Sequence, residues 1–199
     1  FKNIFGDNIF DNLHSFCNGL TSAIASFERS QVFFSFDSKY DRFLRDEYKM
    51  TPLENTGYRI FFSDVSNCMN CHLLQKSTLS KKEPFSDHRY HNIGVPKNPE
   101  LLKNKYLGPS HIDLGLAENS KFASELHEGK FRTPTLRNAA VTPPYMHNGV
   151  FQNLSTAIQF YNRHLVKNKT ALVNPETNAP WGPPEVSNNI DRHLLKLGQ

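Results

Sequence analysis

Apolar residues recur with helical spacing in several stretches of the chain, and long segments rich in polar residues, Pro and Gly separate them. The first apolar repeat follows the i, i+3, i+4, i+7 rule and predicts an amphipathic helix that ends near Arg29. Its apolar face consists of Leu20, Ala23, Ile24 and Phe27. Residues 1–19 show little periodicity, and Asp37-Ser38 precedes a charged stretch that predicts a short helix through Tyr48.

The strongest helix start in the sequence is Thr51-Pro52-Leu53-Glu54. Thr51 is a suitable N-cap, Pro suits the first turn, and Glu54 follows three residues after the cap, as in a capping box. The helix runs towards Cys68, and one side of it carries Leu53, Gly57, Ile60 and Phe61. Because Gly in mid-helix costs about 1 kcal/mol relative to Ala, we expect close packing at Gly57.

A further helix is predicted to begin at Asn153 or Ser155, with one apolar face made of Leu154, Ile158, Tyr161 and Leu165. Residues 76–111 and 130–152 show no helical period and predict ordered loops. The Pro-rich stretch from Asn174 to Glu185 is predicted to be extended. Strand alternation and internal repeats are not found in the sequence. The predicted fold class is therefore all-α, with short helices joined by long ordered loops.

The amino-acid composition argues against some classes of function. The net charge is only +4 and the basic residues are scattered, so we expect no nucleic-acid partner. The sequence contains no apolar run long enough to span a bilayer. Sixteen Phe and seven Tyr against one Trp suit the wall of a large flat cofactor, although an aromatic core gives the same composition. Three Cys are too few for a disulfide framework, and Cys17 is expected to be a buried apolar residue.

Cys68-Met69-Asn70-Cys71-His72 matches Cys-x-x-Cys-His, the attachment signature of haem c. Two thiols on one turn can meet the two vinyl groups at one porphyrin edge, and the adjacent His can serve as the proximal iron ligand. A thioredoxin-like pair or a zinc site would need a βαβ pattern or a second Cys pair, and the sequence has neither. We therefore predict a c-type cytochrome domain around one covalent haem, in a periplasmic or equivalent extracytoplasmic compartment.

Spacing alone leaves the second axial ligand of the iron open. The candidates are Met50, Met146, His91, His147 and Tyr161. A Met ligand would raise the reduction potential, whereas a phenolate would lower it and favour ferric iron. Because Tyr161 lies on the apolar face of its predicted helix, a core tyrosine bonded to a buried acceptor is an equally good interpretation.

Several sequence blocks resemble, in order, the C-terminal half of the bacterial di-haem cytochrome c peroxidases, and more narrowly their MauG-like branch. The most specific block is Phe131-Arg-Thr-Pro-Thr-Leu-Arg-Asn138. The others are residues 23–29, 40–44, 68–72, 85–87, 91–96, 142–149 and 160–162. The resemblance implies that residues 51–199 form the C-terminal cytochrome c haem domain. It also implies that residues 1–50 are an interdomain segment that packs against a partner or an N-terminal haem domain.

The resemblance also implies roles for individual residues. MauG-like proteins carry a ligating Tyr fourteen residues after the His that matches His147, which favours Tyr161 over Met146 as the distal haem ligand. The family binds Ca²⁺ through backbone carbonyls that match Thr142 and Pro144, and such oxygen ligands suit a hard cation. His91 and His147 are expected to wall the haem or bond its edge rather than to ligate iron.

The predicted roles of several other residues are less specific. Lys130, Arg132 and Arg137 could pair with haem propionates, or they could be solvated surface charges. MauG has a Trp two residues before its second haem motif, proposed to carry electrons to a protein substrate. This chain has Ser66 there, so that route is not transferred. Trp181 is predicted to be a packing residue.

The family's peroxide-reacting haem lies in an N-terminal domain with its own Cys-x-x-Cys-His, whereas this chain has one such motif. We therefore expect no catalytic residue in this chain. The first hypothesis is a haem c electron-transfer domain or subunit of a MauG-like di-haem peroxidase. It would relay oxidising equivalents between a haem that reacts with hydrogen peroxide, on another domain or chain, and an electron donor. That donor would be a small redox protein or a protein substrate. The second hypothesis is a non-catalytic mono-haem electron-transfer subunit of a multihaem assembly.

Overall fold

The computed structural model describes residues 1–33, 36–76, 83–103, 106–164 and 173–195. The chain divides into two compact units, Phe1–Met50 and Thr51–Gln199. The described residues are rich in helix and contain a few short strands, which is consistent with a cytochrome c-like fold. Within them, no helix is long and apolar enough to cross a membrane.

The first unit contains α1 (Lys2–Phe5), α2 (Leu13–Glu28) and α3 (Lys39–Leu44). The predicted amphipathic helix is present as α2, but it begins at Leu13, before the apolar repeat. Its start is fixed by the side chain of Asn12, which accepts a hydrogen bond from the Ser15 amide at 3.0 Å. A cap of this kind satisfies an otherwise unpaired amide and needs no apolar repeat.

Two expectations in the first unit are corrected by the structure. Cys17 is exposed on α2, so its prediction as a buried residue was wrong. The charged helix α3 begins with a capping box between Ser38 and Asp41, but it ends at Leu44 rather than at Tyr48. Polar residues can therefore fix where α3 begins, while nothing in the charged stretch specifies how far it continues.

The second unit begins with α4 (Pro52–Phe61). The predicted capping box is confirmed, because the Thr51 hydroxyl accepts from the Glu54 amide at 3.2 Å and the Glu54 carboxylate accepts from the Thr51 amide at 2.9 Å. The expected close packing at Gly57 was wrong. Among the described residues, no atom lies within 4 Å of the position that a Cβ at Gly57 would occupy.

Two small antiparallel ribbons modify the all-α prediction. Strand β1 (Tyr90–His91) pairs with β2 (Phe131–Arg132), and β3 (Val173–Asn174) pairs with β4 (Ala179–Pro180). The second ribbon is a tight hairpin within the stretch that was predicted to be extended. Each strand has only two residues, so these pairings connect loops and do not form a sheet layer.

The core of the second unit lies against α5 (Leu154–Asn162). Its buried apolar residues are Val95, Phe151, Ala157 and Phe160. The ring of Trp181 meets the rings of Phe151 and Phe160 edge to face, with centroid distances of 5.4 and 5.6 Å. The prediction of Trp181 as a packing residue is confirmed.

The two faces of α5 differ in burial. The helix begins as predicted after Asn153, but the face that meets the core carries Thr156, Ala157 and Phe160. The predicted apolar face is the accessible one, with Leu154 36%, Ile158 61% and Tyr161 37% exposed. Leu165, the fourth predicted member of that face, lies outside the described residues. α5 therefore presents an apolar surface on the side that carries Tyr161.

The final described element is α6 (Arg192–Leu195). The segment that precedes α6 contacts the loop that follows β1. Asn92 is buried, and its side-chain amide donates to the carbonyls of Val186 and Asn188 at 3.1 and 2.7 Å. Gly129 lies so close to Asn92 and Val186 that a Cβ there would approach both within 3 Å. The C-terminal segment is thus fixed against the loop that contains β1.

Candidate functional site

The two thiols of the haem motif lie on one short 3-10 turn, Cys68–Asn70. The amides of Cys71 and His72 both donate to the carbonyl of Cys68, at 3.3 and 3.0 Å. Before the turn, Asn67 has a positive φ of 56°, and its side chain donates to the Leu194 carbonyl at 2.8 Å. Both cysteines are free and half-buried. The turn therefore places the two thiols and His72 next to one another.

The imidazole of His72 is oriented by a backbone carbonyl. Its Nδ1 lies 2.8 Å from the oxygen of Phe85, and since a carbonyl only accepts, Nδ1 carries the proton. The other ring nitrogen, Nε2, then has its lone pair available. Burial lowers the pKa of His72 and outweighs the hydrogen bond to Phe85, which raises it. His72 is therefore a neutral imidazole with one nitrogen fixed, as a metal-ligating histidine requires.

The loop that carries Phe85 is tied to the haem motif by its backbone. The amide of Asp87 donates to the Cys71 carbonyl at 2.7 Å, and the amide of Ser86 donates to the Leu73 carbonyl at 3.0 Å. The buried hydroxyl of Ser86 donates to the Thr133 carbonyl at 2.7 Å. These bonds hold the acceptor of His72 in place from two directions.

The basic propionate candidates occupy different environments. Arg137 supports the same loop, because its Nε donates to the Glu83 carbonyl at 2.8 Å and its guanidinium lies 5.7 Å from the Phe85 ring centroid. Arg132 is an exposed residue of β2, and Lys130 is a half-buried residue just before that strand. Arg137 is thus connected to the His72 acceptor loop. Propionate pairing by any of the three stays a prediction.

His91 lies between two carboxylates. Its Nε2 is 2.8 Å from Asp87 Oδ2, and its Nδ1 is 3.4 Å from Asp191 Oδ2. A carboxylate therefore lies next to each ring nitrogen of His91. Polar atoms of Cys71, Asp87 and His91 also lie within 4.8 Å of one another. Burial, followed by Asp87 and Asp191, raises the pKa of the Cys71 thiol to about 11, which disfavours the thiolate that a metal cluster there would need.

His147 packs as an aromatic ring. It stacks on Phe131 with a centroid distance of 3.4 Å and an interplanar angle of 9°. Burial lowers the pKa of His147 to about 4, and the charge of Asp113 opposes this shift. His147 is therefore neutral at physiological pH. Its expected contact with the haem edge stays a prediction.

Tyr161 is brought into electrostatic range of the haem motif. Burial raises the pKa of its phenol above the ordinary range, and Cys71 and Cys68 raise it further. The side chain is 37% exposed, on the accessible apolar face of α5. Since a phenol with a raised pKa is protonated at neutral pH, a phenolate at this position requires a nearby cation.

The calcium candidates Thr142 and Pro144 lie on an exposed loop. The Thr142 hydroxyl donates to the Asn138 carbonyl at 3.1 Å, and the Tyr145 hydroxyl donates to the Ala139 carbonyl at 2.9 Å. These bonds fold the loop back on the preceding 3-10 turn. They involve side-chain oxygens and leave the proposed role of the Thr142 and Pro144 carbonyls untested.

The residues of this site fit a haem c group. Cys68 and Cys71 offer two adjacent thiols, His72 offers a neutral imidazole nitrogen, and Tyr161 offers an oxygen within electrostatic range of both thiols. The accessible apolar face of α5 supplies a surface suited to a flat apolar ring. These features define the class of protein as a c-type cytochrome domain.

Comparisons with known proteins place the domain more narrowly. No family model matches the chain. Over 198 residues it is 42% identical to the methylamine utilization protein MauG of Paracoccus denitrificans, covering 100% of this chain and 51% of MauG. It is also 34% identical over 148 residues to the cytochrome-c peroxidase IdrP2 of Denitromonas iodatirespirans, covering 65% of this chain and 37% of IdrP2. The chain belongs to the family of MauG and the di-haem cytochrome c peroxidases and corresponds to the C-terminal portion of MauG.

Solved structures agree with this assignment. The di-haem peroxidase BthA of Burkholderia thailandensis matches with a TM-score of 0.67 and 28% identity, over 98% of this chain and 54% of BthA. A Tyr-to-Met variant of BthA matches with a TM-score of 0.69 and 26% identity, over 98% of this chain and 53% of the variant. The chain thus spans about half the length of these relatives.

Sequence reasoning missed several residues that position the site. The Phe85 carbonyl, Asp191 and the Asn67–Leu194 bond have no local signature, because their partners lie 13 or more positions away, and Asp87 was missed as well. One available signal was that Asp87 and His91 are four residues apart. That spacing alone does not indicate a pair outside a helix.

Proposed function

We propose that this chain is the C-terminal haem c domain of a MauG-like di-haem oxidoreductase. It relays oxidising equivalents between a peroxide-reacting haem on another domain or chain and an electron donor. The observation that carries the proposal is the neutral imidazole of His72 beside the cysteine pair. The raised pKa of the Tyr161 phenol, to which Cys71 and Cys68 contribute, agrees with it. When bound, haem c supplies a one-electron redox centre.

In that proposal each of the site residues has its own role. Cys68 and Cys71 would hold haem c through their thiols, and His72 and Tyr161 would bind its iron. The Phe85 carbonyl keeps the proton of His72 on Nδ1, so that Nε2 carries the lone pair that would bind the iron. Because His72 and Tyr161 would both bind the iron, the proposal assigns the reaction with hydrogen peroxide to the second haem, outside this chain.

Residues 1–50 are proposed to pack against the domain or chain that holds the second haem. The support is apolar exposure within this unit, where Ile4 is 79%, Leu13 76% and Val32 80% exposed. Covering exposed apolar side chains with another protein surface lowers the free energy of the system. A periplasmic or equivalent compartment and a Ca²⁺ held by Thr142 and Pro144 belong to the same proposal, and both rest on the family resemblance.

The test of this function is Tyr161→Phe in the haem-loaded protein, with Tyr106→Phe as the control because Tyr106 is 83% exposed. Removing a phenolate ligand is expected to change the ferric absorption spectrum. It should also raise the reduction potential by on the order of 0.1 V, since axial ligands tune haem potentials over about 0.8 V. The measurements are optical spectroscopy and a redox titration. An unchanged spectrum and potential would rule out Tyr161 as a ligand.

The alternative function is a non-catalytic mono-haem electron-transfer subunit of a multihaem assembly. The chain contains one Cys-x-x-Cys-His motif, which would bind one haem. Native mass spectrometry of the purified protein, with haem and iron counted, separates the two functions. A tightly bound second haem, on the same polypeptide or on a partner, supports the relay domain. One haem per particle without a partner supports the alternative.

A further inference from the structure

A cavity of about 260 Å³ lies where α5 ends, and none of the proposed haem ligands lines it. Its lining combines three basic side chains, Arg163, His164 and Arg192, with apolar residues that include Ile190 and Leu195. The described lining contains no Asp or Glu. The cavity is therefore basic on one side and apolar on the other.

Arg163 is held rigidly at this cavity. Its guanidinium carbon lies 3.9 Å from the centroid of the Phe160 ring, which is fully buried. Its Nη2 donates to the Gly94 carbonyl at 3.1 Å, and its Nε donates to His164 Nε2 at 3.1 Å. Two of its five N–H groups are used in these bonds, so the others are free to donate. Burial lowers the pKa of Arg163 to about 10, and the group stays charged at neutral pH.

Neither hydrogen-bond partner of Arg163 carries a negative charge. The acids that flank the lining residues in sequence have other partners in the structure. Glu185 accepts from the Asp113 amide at 3.2 Å, and Asp191 accepts from the Asn92 amide at 3.1 Å. The residues outside the described ranges include several Lys but no Asp or Glu. Among the described residues, no side-chain carboxylate forms an ion pair with the half-buried guanidinium, and no acid contributes to its pKa shift.

His164 adds a neutral donor to the same cavity. Because its Nε2 accepts from Arg163, its proton lies on Nδ1. Burial, followed by the charges of Arg163 and Arg192, lowers the pKa of His164 to about 4. A half-buried cation without a counter-charge, such as Arg163, is energetically unfavourable. An oxyanion that accepted hydrogen bonds from Arg163 and His164 would remove that cost.

We propose that this cavity is a binding site for a small oxyanion, a carboxylate or phosphate group held by Arg163, His164 and Arg192. The volume suits one such group and is smaller than typical pockets for larger ligands. A guanidinium stacked on an aromatic ring presents a fixed fork that matches the two oxygens of a carboxylate or phosphate. The oxyanion comes either from solution or from a carboxylate of the haem.

The first measurement is thermal unfolding of the purified, haem-loaded protein in increasing inorganic phosphate, with chloride at matched ionic strength as the reference. If the oxyanion comes from solution, phosphate raises the melting temperature of the native protein in a saturable way. The apparent Kd should then increase at least tenfold in Arg163→Gln. Arg59→Gln is the matched control, because Arg59 is an exposed residue of α4 that does not line the cavity.

The second measurement is a redox titration of the same variants. If a haem carboxylate fills the cavity, phosphate has no saturable effect, and Arg163→Gln shifts the reduction potential and its pH dependence, whereas Arg59→Gln does not. Either result supports the site and identifies the source of the oxyanion. The proposal is overturned if Arg163→Gln behaves like Arg59→Gln in both measurements. Should Arg163→Gln fail to fold, Arg192→Gln allows the same comparison, because Arg192 is exposed.

Discussion

Burial sets the protonation of three histidines in the second unit. It is the main cause of the lowered pKa of His72, His147 and His164. Each holds its proton less tightly in the native state than in the unfolded chain, where the pKa is about 6.5. Their contribution to the free energy of unfolding is therefore present at neutral pH. It decreases as the pH falls below about 6.5 towards the native pKa, about 4 for His147 and His164.

His147→Phe is expected to reduce this acid sensitivity. The variant keeps an aromatic ring on Phe131 but has no group that must be protonated when the protein unfolds. Between pH 7 and pH 5 it should lose roughly 1 kcal/mol less stability than the native sequence, a modest figure because His147 is an exposed residue and solvent weakens the effect. Urea unfolding at both pH values measures this. His111→Phe, outside the stack, is the control, and equal pH dependence in both variants would contradict the prediction.

The chemistry at single residues was only partly predictable from sequence. The Cys-x-x-Cys-His spacing is local, so Cys68, Cys71 and His72 could be recognised from it. The orientation of His72 depends on the Phe85 carbonyl, and any residue could supply that backbone atom. For the same reason the fixed guanidinium of Arg163, whose acceptor is the Gly94 carbonyl, could not be predicted from sequence.

At the scale of elements, the two helices that flank the haem motif in sequence begin in different ways. The start of α4 is stabilised within its own sequence by Thr51 and Glu54. The start of α5 depends on Glu176 in the β3–β4 hairpin, whose carboxylate accepts from the amides of Gln152 and Asn153 at 2.8 to 3.0 Å. The start of α4 could be predicted from the sequence. The start of α5 could not, because the partners of Glu176 lie 23 and 24 positions away from it.

Glu176→Gln is expected to destabilise the protein by about 1 kcal/mol at neutral pH, since a carboxylate at a helix start is lost. Burial raises the pKa of Glu176, but hydrogen bonds from Gln152, Thr156 and Asn153 together lower it below its usual value. The stabilisation is therefore present above the unfolded pKa of about 4.5 and is lost as the pH falls through the lower native pKa.

Urea unfolding at pH 7 and pH 3 tests this prediction. The difference between Glu176→Gln and the native sequence should be clear at pH 7 and should decrease at pH 3. Glu125→Gln, at an exposed position, is the matched control. A pH-independent cost in Glu176→Gln would mean that the carboxylate charge does not stabilise α5.

Helical spacing predicted which residues of α5 share a face but not which face is buried. Leu154, Ile158 and Tyr161 do lie on one side, yet Ala157 and Phe160 face the core. Spacing identifies apolar neighbours, and it cannot distinguish a surface that packs on protein from one suited to a cofactor.

At the scale of the whole molecule, all residues proposed to hold the haem belong to the second unit, Thr51–Gln199. The buried apolar core of that unit is small and centres on Phe151 and Phe160. A covalently bound haem would add a large apolar surface to such a core. Haem loading is therefore expected to depend on the second unit rather than on residues 1–50.

A fragment of residues 51–199, produced with the haem attachment machinery, is expected to carry the same haem per chain as the full chain. Its ferric spectrum should also be unchanged, because its ligands are all present. Haem staining and intact mass measure the attachment, and the fragment with Cys68→Ala and Cys71→Ala is the negative control. A soluble fragment without haem, beside a loaded full chain, would show that residues 1–50 are needed.

The hydrogen bond between Asn67 and Leu194 joins residues 127 positions apart. The turn that holds Cys68 and Cys71 can be anchored there only after the chain has folded as far as Leu194. Closing so large a loop is slow compared with forming local helices. The thiols thus have an interval in which a maturation enzyme can reach them, and the docking of Leu194 ends it.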